Sequence, residues 1–157
     1  MDCGFNIDGK WFRYRAAAII IEDGCVLMAK NDRYPYYYSV GGGVGHNETS
    51  AKAVEREVFE ETGVHYEADR LKFIHENFFG AEEDKGEVCH ELTLYYLMKP
   101  RGSKQLNDNG YCLDGVREHM VWIPIDEYKN YDAYPRFFAD KLHDLSGEIE
   151  HIVTREQ

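Results

Sequence analysis

GGGVGHNETSAKAVEREVFEETGV, residues 41–64, places five glutamates behind three consecutive glycines in a chain whose net charge is already −11. Thr49 or Ser50 caps a helix whose interior, AKAVEREVFEET, holds neither Gly nor Pro, and Gly63 closes it in the left-handed region. On that helix Glu57, Glu60 and Glu61 fall within about 100° of arc. Val54, Val58 and Ala51 lie at about 60°, 100° and 120° from Glu57. The carboxylate stripe thus borders the apolar stripe and sits at the edge of the core. Glutamates at i, i+3 and i+4 repel one another, partial desolvation raises the cost, and Glu61 lies in the last turn, where the helix dipole disfavours negative charge. Local penalties that converge on one segment mark a functional site. A hard divalent cation, Mg²⁺ or Mn²⁺, would relieve them, and the competing reading is a solvated acidic face. Arg56 flanks Glu60 and either orients a glutamate or meets a phosphate; a surface ion pair is the plainer alternative.

At 157 residues, with 43% hydrophobic and 14% aromatic side chains, the chain is expected to form a single domain, 1–157, around one core. An excess of 29 acidic over 18 basic side chains argues against nucleic acid or an anionic membrane as partner. A polyanionic substrate would need metal ions. Cys3, Cys25, Cys89 and Cys112 form no CxxC pair and are expected to be reduced. The first 15 residues lack a continuous apolar stretch and no run approaches transmembrane length, so a soluble, cytoplasmic protein is expected.

Around the helix the pattern predicts strands. Residues 15–22 and 25–30 flank Asp23-Gly24, a type I′ hairpin signal. Residues 36–40 make a short strand into the glycines. Residues 71–79 and 88–98 form an antiparallel pair across a polar turn at 80–87, and 107–115 is a loop. Residues 120–125 are a further strand, 135–145 a helix with Pro135 near its start and Gly147 past its end, and 148–153 a last short strand. This order describes a mixed sheet with packed helices.

The segment also spells Gly42-x5-Glu48-x7-Arg56-Glu57-Val58-x-Glu60-Glu61-x-Gly63-Val64, which resembles the signature box of the Nudix hydrolases at every fixed position. At average residue frequencies a chance match is on the order of 1 in 10 million for such a chain. The resemblance implies an α/β/α sandwich with a mixed β-sheet. It also implies divalent-metal-dependent cleavage of a pyrophosphate bond in a nucleoside diphosphate linked to another moiety, such as a nucleoside triphosphate or nucleotide sugar. Carried over by position, Glu57, Glu60, Glu61 and the Gly42 (or Gly41) carbonyl are metal ligands, while Glu48 and Arg56 hold the loop and helix in register. The family often adds a distant carboxylate; Glu118, slightly favoured, and Glu91 are the two candidates. The catalytic candidates are therefore Glu57, Glu61, Arg56 and Glu118. The substrate-binding candidates are Gly41, Gly42, Tyr36 and Tyr38, the tyrosines being placed to stack on a nucleobase or simply to pack the sheet.

Two positions depart from the family's usual pattern: Val40 stands where Pro is common, and Asn47 where Gly is common, although Asn tolerates positive φ. Motifs of several subfamilies are absent near Phe79-Gly80-Ala81-Glu82, so the nucleotide is not specified. His46, in the box loop, either meets a phosphate or, more simply, is an exposed loop histidine, and His90, beside Glu91, reads equally as a strand histidine satisfied by hydrogen bonding. The alternative to an enzyme is a non-catalytic nucleotide- or metabolite-binding module on the same fold, and a third option is an acidic interaction protein. Residues 5–14 and 34–38, rich in aromatics, offer surfaces for a homodimer.

Overall fold

The computed structural model describes residues 1–80, 88–107 and 115–155. The expected turn at 80–87, apart from Gly80, most of the loop at 107–115, and Cys112 lie outside these residues.

Asp8 and Gly9, with φ of 50° and 74°, turn β1 (Gly4–Ile7) into β2 (Lys10–Ile19), a hairpin that the sequence pattern left unread. Its signal was the Asp-Gly dipeptide, whose residues accept the left-handed conformation that type I′ turns demand. Asp23 and Gly24 repeat the device, with φ of 50° and 71°, between β3 (Ile21–Glu22) and β4 (Cys25–Asn31). This second hairpin is shorter than the pattern predicts. The chain changes sheet at Ile20, so β2 pairs with other strands and only β3 returns along β4.

Strands β5 (Tyr37–Ser39) and β6 (Gly41–Gly43) lead into helix α1 (Ser50–Thr62). Then follow β7 (Ala68–Gly80), β8 (Val88–Met98), β9 (Glu118–Pro124), a 3₁₀ turn (Ile125–Asn130), β10 (Ala133–Tyr134), α2 (Phe138–Lys141) and β11 (Glu150–Arg155). One sheet runs β1-β2-β8-β7-β11 with β6 alongside β2; the other runs β10-β5-β4-β3 with β9 alongside β4. The β7–β8 pair is antiparallel as expected, but β2–β8 and β7–β11 are parallel.

Alternation along β2 explains the layers. Ala16, Ala18 and Ile20 join Leu27 of β4 and pack under Ala53, Val54 and Val58 of α1. Ala17 and Ile19 join Val26 and Met28 on the opposite face, under Tyr128, Phe138 and Leu142. Two buried faces with helical segments on both sides make the α/β/α arrangement. Val54 and Val58 are 0% exposed, each contributing about 1.5–3 kcal/mol. Thr49 caps α1 by accepting from Lys52 N, and Gly63 ends it at φ 72°, where a Cβ would collide with the Asn107 carbonyl.

The helix expected at 135–145 is largely replaced. Only Phe138–Lys141 is α-helical, preceded by i→i+3 bonds from Phe138 to Pro135 and from Ala139 to Arg136. The adjacent rings Phe137 and Phe138 both pack on Tyr95. Among the described residues no helix is long and apolar enough to cross a membrane. Cys3, Cys25 and Cys89 are free thiols.

Candidate active site

The loop from β6 to α1 is braced by one arginine. Arg56 donates from Nε and Nη2 to Glu48 at 2.8 and 3.0 Å, and from Nη2 to the Gly43 carbonyl at 3.1 Å. Its Nη1 reaches Glu57 at 2.9 Å and Glu60 at 3.3 Å. Glu48 also accepts from Gly45 N at 2.9 Å. These bonds, Arg56 foremost, hold the Glu48 carboxyl at about 2. Asn47 sits at φ 64°, so it meets the positive φ for which the family's glycine is suited. Val40 is fully buried in the core beneath α1, and its carbonyl accepts from Ala18 N at 2.8 Å, so packing and the sheet fix a position that Pro rigidifies elsewhere.

The glycines have separate reasons. Gly41 N donates to Glu61 Oε2 at 2.9 Å. A Cβ on Gly42 would land on the Glu57 carboxylate, and one on Gly41 would strike the Ala16 carbonyl. Close backbone approach, available only without a Cβ, packs the loop against the helix glutamates.

Glu61 is the most perturbed carboxyl. Burial, then the charges of Glu118 and Glu57, push it well above the ordinary range, against the pull of Arg15 and the Gly41 N–H. Burial likewise raises Glu57, opposed by its bond to Arg56. Glu118, at the start of β9, is 8% exposed and accepts from the Tyr38 hydroxyl at 2.6 Å. Glu60 is half exposed and turned towards Arg56.

Oxygen-only donors suit Mg²⁺ or Mn²⁺. Glu61, Glu57 and Glu118 repel across a partly desolvated site, which is the electrostatic condition that a hard cation relieves. Among the described residues no three acidic side chains converge on one metal-sized point. Arg56 draws Glu57 and Glu60 aside, and Gly41 N–H engages Glu61.

The sequence model of the NUDIX domain matches residues 11–141. The chain belongs to the Nudix family. A MutT NUDIX hydrolase from Burkholderia pseudomallei superposes with TM-score 0.51 at 25% identity, over 73% of this chain and 84% of that one. Mutator MutT protein from Bacillus halodurans gives 0.66 at 18%, covering 90% and 89%, and MutT protein from Methanosarcina mazei Go1 gives 0.64 at 16%, covering 86% and 92%. No curated protein matches the sequence. As a Nudix hydrolase the chain is a pyrophosphohydrolase.

Within this Nudix fold the two distant carboxylates separate. Glu118 borders the box, coupled to Glu61. Glu91, on β8, accepts two bonds from Arg13 and one from Thr93, and stays ionised despite burial because Arg15 and Arg13 face it. Tyr36 packs edge-on to Tyr38 and Tyr134, while Tyr37 turns to Tyr131 in the opposite core. Exposed His90 lies against Phe12 and Phe78, and His46 is exposed.

Sequence reasoning missed Arg13, Arg15 and His75. Their signal was two arginines at alternate positions, so on one face, ahead of an alanine run in a buried strand. His75 is 3% exposed, and burial holds it at about 4, below its ordinary 6.5, with Glu91 partly opposing. The unfolded chain therefore binds this proton more readily than the folded one. His75 contributes stability that is complete above about 6.5 and is lost as pH falls towards 4, amounting to about 3 kcal/mol when fully titrated. Thermal melts from pH 7 to 4 should show that limb, and His75→Gln should flatten it.

Proposed function

We propose that this Nudix hydrolase cleaves the pyrophosphate bond of a nucleoside diphosphate linked to another moiety, a nucleoside triphosphate or nucleotide sugar, in a Mg²⁺- or Mn²⁺-dependent reaction. Glu57, Glu60, Glu61 and the Gly42 carbonyl hold the cation, and Glu118 is the additional carboxylate. The observation that carries this reading is the Glu61 carboxyl, buried beside Glu118 and Glu57 and pushed well above its ordinary range. When bound, the cation supplies positive charge that admits a pyrophosphate among these carboxylates and acidifies water.

The chain's own residues do the rest. Arg56 sets the positions of Glu57 and Glu60 and keeps the loop closed on α1 through Glu48. Gly41 and Gly42 let the loop backbone approach the phosphates. Tyr38 orients Glu118 through its 2.6 Å bond, and Glu118, desolvated and beside Glu61, is placed to take the proton from the attacking water. Tyr36, whose ring continues the row from Tyr38 to Tyr134, offers an aromatic face to a base.

A panel of nucleotides incubated with Mg²⁺ or Mn²⁺ tests the reading through release of a nucleoside monophosphate. Within that panel Glu118→Gln is expected to lower kcat about 100-fold with little change in Tm. Glu91→Gln should lower Tm by about 4 °C or more, because it strands two arginines, and should keep kcat within about tenfold. The reverse pattern would assign the extra carboxylate to Glu91.

A further inference from the structure

The face of β2, β8 and β7 that continues from the box carries polar side chains which the hydrolytic scheme does not use. Register aligns Arg15, Thr93 and His75 in one row and Arg13, Glu91 and Asn77 in the next. Glu91, 5% exposed, is already satisfied: Arg13 donates to it from Nε at 2.8 Å and again from Nη2, and Thr93 Oγ1 donates at 3.2 Å. Arg13 is further fixed over the Trp11 ring, 4.8 Å from its centroid.

Arg15 is surplus to that arrangement. Its closest approach to Glu91 is 3.9 Å, its side chain is 18% exposed, and its guanidinium makes no hydrogen bond among the described residues. A guanidinium carries five N–H donors, and leaving them unpaired while mostly desolvated is costly. It also lies opposite Gly43 where β2 pairs with the glycine strand β6, beside the phosphate-cleaving site, and the charges of Glu61 and Glu57 reach it. In the same two rows, His75 Nδ1 and Asn77 Oδ1 are the two buried side-chain polar atoms without a partner among the described residues. Two arginines against one buried glutamate leave one positive charge on a floor short of hydrogen-bond partners, in a protein of net charge −11.

We propose that Arg15 and Arg13, anchored by Glu91, form an anion subsite for an oxyanionic group that the substrate carries beyond its metal-bound diphosphate. The subsite selects such substrates over diphosphates capped by a neutral group. It deepens the pyrophosphohydrolase reading and rests on it. The oxyanion is a phosphate, either in line as a third phosphoryl group or carried on the nucleoside.

Calorimetric titration in Mg²⁺ with inorganic tripolyphosphate, pyrophosphate and a nucleoside 3′,5′-bisphosphate tests the subsite without turnover. Arg15→Gln is expected to weaken tripolyphosphate or the bisphosphate about tenfold or more. Whichever probe loses affinity identifies the source of the phosphate. Pyrophosphate should change less than about threefold, and Arg15→Lys should recover part of the loss. Equal losses on all three probes, or no loss on any, would overturn the subsite. Should Arg15→Gln fail to fold, Arg13→Gln, at a more exposed position, is judged by the same ratios. In turnover, failure of the wild-type protein to cleave any nucleotide would sink the pyrophosphohydrolase reading, while the tripolyphosphate titration would still decide the subsite.

Discussion

Glu61→Gln is expected to reduce metal-dependent hydrolysis by about 1,000-fold or more while making the metal-free protein more stable. The loss of activity follows from removing a charged oxygen donor at the centre of the site. The gain in stability follows from the position of the carboxyl. Glu61 is desolvated and faces Glu118 and Glu57, with Arg15 and one backbone N–H in opposition. An isosteric amide keeps the bond from Gly41 N and removes the repulsion. A site built for function holds strain that a neutral variant releases. A gain of about 1 kcal/mol would raise Tm by about 2–4 °C in a chain of this size. Mn²⁺ should raise the melting temperature of the wild-type protein and leave that of Glu61→Gln nearly unchanged. Unchanged activity in this variant would overturn the assignment of Glu61, and a lower metal-free Tm would show that its role is structural.

Arg56→Ala is expected to be the most damaging surface-accessible change. Six bonds from one guanidinium tie Glu48, Glu57, Glu60 and the Gly43 carbonyl together. Without it three carboxylates face one another and the loop loses its clamp on α1. Because the side chain is 37% exposed, water screens part of the loss, and about 2 kcal/mol, or a fall of about 4–8 °C in Tm, is expected. Activity should fall more than 100-fold, since a loop displaced by 1 Å misplaces the reacting groups. The pH dependence adds a signature. Glu48, held at about 2, lies below the unfolded value of 4.5, so its contribution is complete above about 4.5 and is lost as pH falls through 2. In Arg56→Ala most of that contribution disappears, the Gly45 N–H keeping the rest, and the stability difference from wild type should shrink as both are acidified. Arg56→Lys should restore little, because a point charge cannot reproduce the two bonds to Glu48.

The box was legible because its logic is local. Helical periodicity placed Glu57, Glu60 and Glu61 on one arc, Thr49 and Gly63 marked the ends, and Asn47 accepted the φ that the loop requires. What lay beyond the box depended on pairings that no window of sequence contains. Glu118 and Glu91 read alike from spacing. They part only when β8 lies parallel to β2, which sets Glu91 opposite Arg13, while β9 pairs with β4 and brings Glu118 to Tyr38. Arg15 was overlooked for the same reason, since its meaning comes from a neighbour more than 70 residues away. At 135–145 apolar spacing suggested one long helix, but the segment winds through i→i+3 bonds before a single α turn, and its apolar side chains pack on Tyr95 and Tyr128 from distant elements. The first hairpin carried a local signal, Asp8-Gly9, obscured because both of its flanks are exposed or half-exposed and show no apolar alternation.

The central claim is that these carboxylates, with Mg²⁺ or Mn²⁺, cleave a pyrophosphate bond. Phosphorus-31 NMR of the wild-type protein with a panel of nucleoside triphosphates and nucleotide sugars, run with Mg²⁺ and again after chelation, tests it most directly. Loss of the diphosphate resonances with appearance of a nucleoside monophosphate, stopped by the chelator and restored by added metal, is the predicted result. Nucleotides that bind and raise Tm yet stay intact with metal present would contradict it, and would leave the chain a binding module on a hydrolase fold.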